Sequence, residues 1–145
     1  MFTFSENSKK YAPLILRMGL AIVFLLFGYH KLVQPGQAQA EVQLLLDIGL
    51  GTAAALNYYL GIMEILIGLS LLLGWQIKYF APVSGFLVII IFGSILWKYG
   101  FTLSPERVDP TLFRDAGLIG ACFALWILGA GAWSIDEWLE ERKKR

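Results

Sequence analysis

The sequence predicts an all-α fold: an integral membrane four-helix bundle with a short interfacial or re-entrant helix between helices one and two. Three observations carry that prediction. Hydrophobic residues make up 57% of the 145 and charged residues only 16%, with a mean hydropathy of +0.64, which is not the balance of a water-soluble domain. Four apolar runs, at about 14–32, 54–75, 81–98 and 112–132, each come near the roughly 20 residues that cover the hydrocarbon of a bilayer. Finally, a formal net charge of only +1 hides an uneven distribution, with basic clusters at Lys9-Lys10 and Arg142-Lys143-Lys144-Arg145. Residues 1–145 read as a single transmembrane domain in contact with the lipid bilayer, and the basic clusters report orientation, not nucleic-acid binding.

Helix one follows a polar start through Lys10; Arg17 interrupts its apolar run and His30-Lys31 lies near its end. Helical steps from Arg17 give Ala21, Phe24, Gly28 and Lys31, so both cations share one stripe, about 21 Å apart along the axis. Arg17, and the polar residues between the run and the cleavage-like Ala38-Gln39-Ala40, argue against a signal peptide. The first segment is expected to stay. Pro35-Gly36 stops the helix. The stretch 37–48 puts Ala38, Val42, Leu45 and Leu46 on one face but is too short and polar to span, hence its interfacial or re-entrant reading.

Helix two, ending at Trp75, holds one acid, Glu64, with Gly61 and Gly68 on the same face, where a neighbouring helix comes closest. The short link 76–81 makes helices two and three an antiparallel pair. Pro82 is expected in the first turn of helix three, where its missing N–H costs little, and Gly85, Ile89 and Gly93 are expected as a close-packing face. Asp109-Pro110 is a helix start, a cap followed by proline, so helix four is expected from Pro110 to about Ala132, with Gly117/Ala121 and Gly120/Ala124 as small-residue pairs. Beyond it the chain reads as a charged tail.

Four spans put both termini on one side, and Lys9, Lys10, Lys78 and the terminal basic cluster make that side cytoplasmic. Tyr58, Tyr59, Trp97 and Tyr99 then mark the outer interface, and Trp75, Tyr79, Trp133 and Trp138 the inner one.

The chemistry is narrowed by what is scarce. Cys122 is the only cysteine and His30 the only histidine, so there is no internal disulfide, no Cys-x-x-Cys pair and no spacing that reads as a zinc or iron site. No metal is expected, and no catalytic residue can be picked out. Glu64 is the anomaly, because a carboxyl in the hydrocarbon costs roughly 2.5–3.5 kcal/mol on insertion scales and usually has a partner or a task. Lys31 is the foremost candidate partner, with His30 and Lys98 as others. Arg114 and Asp115, in the first turn of helix four at the same end, join the candidate polar site if they converge with Glu64, Lys31 and His30. A structural ion pair and a proton-relay or ligand site both remain open for this group. At the other end Arg17 and Asp136 are expected to close as a structural ion pair.

The chain resembles the DoxX family of small bacterial four-helix membrane proteins, from Arg17 to Asp136. The resemblance rests on Arg17, on Gly28-Tyr29-His30-Lys31-Leu32, on the run from Gly61 through Glu64 and Gly68 to Gly74, and on Gly129-Ala130-Gly131-Ala132-Trp133-Ser134-Ile135-Asp136. The family often has proline where this chain has Ala130. The resemblance implies a multi-pass protein of the bacterial cytoplasmic (inner) membrane. Because relatives include a membrane subunit of a thiosulfate:quinone oxidoreductase and members associated with redox-stress enzymes, it also implies a subunit of a quinone-linked redox complex, with a quinone or a soluble oxidoreductase as candidate ligand and partner. No cofactor is evident in the sequence itself. The rival reading is a non-enzymatic assembly or anchor protein, or a small proton-coupled transporter.

Overall fold

A computed structural model describes residues 9–34, 43, 46, 47, 49, 53–99 and 110–144. Among the described residues five α-helices are delimited, α1 (Ala12–Val33), α2 (Ala53–Leu73), α3 (Ile77–Tyr99), α4 (Pro110–Leu128) and α5 (Ile135–Lys143), and there is no strand. Three stretches, Ala12–Val33, Ala55–Leu73 and Ile77–Trp97, are long and apolar enough to cross a bilayer. The expected helix over 37–48 lies largely outside the described residues; within it Gln43, Leu46 and Asp47 are helical, and Gln43 donates to Asp47 one turn on at 2.9 Å.

The distribution of side chains is that of a protein in lipid. Ile15, Ile22 and Leu26 on α1, Ile62 and Leu66 on α2, Phe86 and Ile90 on α3 and Ile127 on α4 are exposed, while Arg17, Lys31, Glu64 and Asp115 are buried. Water would penalise such a continuous apolar exterior, whereas hydrocarbon does not.

α1 packs most extensively on α2, and α3 on α4; contacts between the two pairs are fewer. The α1–α2 contact is close because it is made by glycine. A Cβ on Gly28 would lie 2.6 Å from the Gly61 carbonyl oxygen and 2.9 Å from the Ile65 nitrogen, so even alanine would push the backbones apart. The buried face of α1 is Pro13, Arg17, Leu20, Ala21, Phe24, Gly28 and Lys31, which contains the whole stripe read from the sequence. On α3 the expected face is corrected. Gly85 packs on Cys122 and Phe123, but Ile89 and Gly93 face outward, and Ser84, Val88, Ile91 and Ile95 are buried instead. Gly117 and Gly120 likewise meet nothing within 4 Å, because α4 turns Asp115, Cys122 and Leu125 inward.

The helix ends at the Arg17 end of the molecule also differ from expectation, each for a reason in its capping. α2 stops at Gly74, whose φ of +65° allows Trp75 N–H to donate back to Ser70 O at 3.0 Å and Gly74 N–H to Leu71 O at 3.3 Å, a pairing that satisfies the last carbonyls of a helix. α3 then starts at Ile77, four residues before the expected 81, because the Asp136 carboxylate accepts from Gln76 N–H at 2.8 Å and Ile77 N–H at 2.9 Å. Pro82 is therefore inside the helix, where it removes one backbone bond, and not in its first turn. α4 begins at Pro110 as expected but ends at Leu128, not Ala132, since Gly129 enters the left-handed region at φ +79°. α5 stands where a tail was expected. Ser134 caps it by accepting from Glu137 N–H at 3.1 Å, with Asp136 and Glu137 in its first turn and Arg142 and Lys143 in its last, each sign opposed to the helix dipole.

Candidate functional site

Four charged side chains from three helices meet at the Lys31 end. α1 supplies Lys31 and α2 supplies Glu64; the ammonium lies 2.9 Å from each carboxylate oxygen, with side-chain exposures of 2% and 1%. Neither ion is tolerable alone in hydrocarbon, so a bidentate geometry is what allows either to be there. From α4, Arg114 Nε and Nη2 both lie 2.9 Å from Asp115 Oδ1. Asp115 is buried and Arg114 about one-third exposed, so this second pair closes the cluster toward the surface. Phe27 lies between the two cations, with its ring centroid 5.6 Å from Lys31 Nζ and 4.6 Å from Arg114 Cζ, distances at which the ring face attracts a cation. Glu64, Asp115, Arg114, Phe24, Phe27 and Val88 line a cavity of about 10 Å3, room for about one water.

The structure thus brings together Lys31, Glu64, Arg114 and Asp115. His30 is exposed, edge-on to Tyr29 with ring centroids 6.1 Å apart, and is not among the residues lining the cavity. The Lys98 side chain lies outside the described residues. Asn57 was missed by sequence reasoning. It sits on the Gly61–Glu64 face two turns from the acid, is buried to 8% exposure, and its Oδ1 has no hydrogen-bond partner among the described residues. An amide on the stripe of an otherwise apolar helix was the signal that could have found it.

At the other end the expected Arg17–Asp136 ion pair is replaced by something less direct. Arg17, 1% exposed, donates through Nη2 to the carbonyls of Ala132, at 3.0 Å, and Trp133. Asp136 is occupied with the backbone of Gln76 and Ile77, and its own N–H donates to Gly74 O at 3.1 Å. Asp136 and Glu137 face the guanidinium only through longer-range attraction. The two residues therefore lock one junction of α1, α2, α3 and α5 without touching. The physical reason is that each finds unsatisfied backbone groups at the helix ends, and those bonds are charge-assisted. Cys122, fully buried, lies 3.2 Å from Ser84 Oγ and is placed as a packing residue.

A chain whose described residues form helices and no strand, with an apolar exterior, three helices long enough to span and paired charges inside, is a multi-pass membrane protein. Residues 12–100, well over half of the chain, match the family model DoxX. The chain belongs to the DoxX family. No curated protein and no solved structure matches it.

Proposed function

We propose that the chain is a non-catalytic membrane subunit: four helices crossing a bacterial inner membrane, with both termini cytoplasmic, that anchor an oxidoreductase partner carrying the electron chemistry of a redox complex. The fourth span is α4, whose outward face carries Phe113, Trp126, Ile127 and Leu128. One observation supports the non-catalytic part above others. Among the described residues, the cavity between Glu64 and the Arg114–Asp115 pair is about 10 Å3, which admits a water and not a quinone ring. A quinone therefore does not fit between these groups as they stand, and no step is routed through one. In this reading the Lys31–Glu64 pair holds α1 and α2 in register, the best-attested use of buried ions, and Arg114 over the Phe27 ring ties α4 to α1.

A second reading has its own observation. The cluster lies at the seam between the α1–α2 and α3–α4 pairs, where contacts are fewest, so a rigid-body parting of the pairs would open it to a quinone head group or to a proton-coupled solute. Co-purification in mild detergent separates the two. The anchor reading predicts a soluble oxidoreductase bound to the native chain without stoichiometric quinone, and equally bound to the Lys31→Met/Glu64→Gln double variant. Near-stoichiometric quinone that disappears from a normally folded double variant would replace the anchor reading with the second one.

A further inference from the structure

A second site lies at the opposite end of the molecule. The start of α3, the end of α4 and the length of α5 enclose an open groove of about 640 Å3, within the range of small-ligand sites. Its charged walls carry both signs: Lys10, Lys78 and Lys143 on one hand, Glu137 and Glu140 on the other. None of these five side chains forms an ion pair with any other described residue, although they line one concavity. Asp136, also on the wall, is already committed to the backbone of Gln76 and Ile77. Lys10 and Lys78 do lie near rings, 5.5 Å from the Tyr11 centroid and 5.9 Å from that of Tyr79, but charges of opposite sign that line one groove without pairing with each other fit a ligand that itself carries both signs.

The groove's remaining walls say where that ligand comes from. Tyr79 and Trp126 flank it, 61% and 48% exposed, and such amphipathic rings favour the level of the lipid head groups. Leu128 and Leu139 continue the wall as an apolar surface. We propose that this groove binds the head group of phosphatidylethanolamine, its phosphate held by the lysines and its ammonium donating to Glu137 and Glu140, with the glycerol and first methylenes against Trp126 and Leu128. Charge-assisted hydrogen bonds of this kind need a donor on the cation, which an ethanolamine ammonium has and a choline lacks. An anionic phosphatidylglycerol offers the phosphate but no cation for the glutamates. The proposal rests on the membrane-spanning reading and not on the partner or on the Lys31–Glu64 cluster.

Native mass spectrometry of the full chain, released from nanodiscs of equimolar phosphatidylethanolamine, phosphatidylglycerol and phosphatidylcholine, tests it. Phosphatidylethanolamine should be retained severalfold over both others. Glu137→Gln/Glu140→Gln, at exposed positions, should keep its helical content and lose the preference over phosphatidylglycerol, and Lys78→Gln/Lys143→Gln should weaken retention of all three. Equal retention of the three lipids by the native chain would overturn the proposal. So would a preference for phosphatidylglycerol, which would reduce the groove to a basic patch. A chain that fails to enter nanodiscs at all would instead contradict the membrane-spanning reading, so the two failures are distinguishable.

Discussion

Lys31→Met and Glu64→Gln, each alone, are expected to destabilise the protein by about 3–5 kcal/mol, because each takes from a buried charge its bidentate partner. The double variant Lys31→Met/Glu64→Gln should recover most of that loss. Both side chains are essentially inaccessible, so neither remaining charge can reach water without moving a helix, and the amide and thioether that replace them fill similar volume without a charge to solvate. Reversible unfolding in mixed detergent micelles would measure all four corners of the cycle. Coupling well above 1 kcal/mol is expected; additive losses within about 0.5 kcal/mol would mean that the two groups do not depend on each other.

At the other end, Gly74→Ala should be among the most damaging single-methyl changes in the chain, and Gly129→Ala a mild one. Both glycines are in the left-handed region, at φ +65° and +79°, so both substitutions carry a backbone cost of about 1–2 kcal/mol. They differ in what the new methyl meets. At Gly129 there is nothing within 4 Å, whereas at Gly74 the Cβ would lie 1.8 Å from Arg17 Nη1 and 2.4 Å from Ser134 Cβ. The guanidinium must then leave the Ala132 and Trp133 carbonyls, and a displaced buried cation adds roughly 3 kcal/mol or more. Equal melting-temperature losses for the two variants would show that backbone strain alone is at work and that Arg17 is free to move aside.

What could be read from the sequence was what helical periodicity controls. Arg17, Ala21, Phe24, Gly28 and Lys31 fall on one stripe by spacing alone and all are buried, and the Gly61–Glu64–Gly68 face meets α1 as the spacing requires. A polar residue in an apolar helix has few places to go, which is why the Lys31–Glu64 partnership was legible. Arg17's partners were not, because they are carbonyls freed by turns at Gly131 and Trp133 that take positive φ, and spacing of side chains does not report backbone acceptors. The start of α3 was hidden for the same reason: its cap comes from Asp136, 60 residues further on from Gln76. α5 is a different case. Ser134 followed three residues later by Glu137, acids first and bases last, is a helix-start signature plainly written in the sequence, and it was overlooked because its charge density reads as a solvated tail.

The four proposed crossings of the membrane can be tested directly. Single cysteines replacing Lys9, Gln37 and Arg145, each in a Cys122→Ser background, can be probed on intact cells with a membrane-impermeant maleimide. Four crossings predict labelling at position 37 alone, with positions 9 and 145 reacting only after the membrane is permeabilised. Positions 9 and 145 reacting from opposite sides would mean an odd number of crossings, leave α4 outside the bilayer and contradict the account.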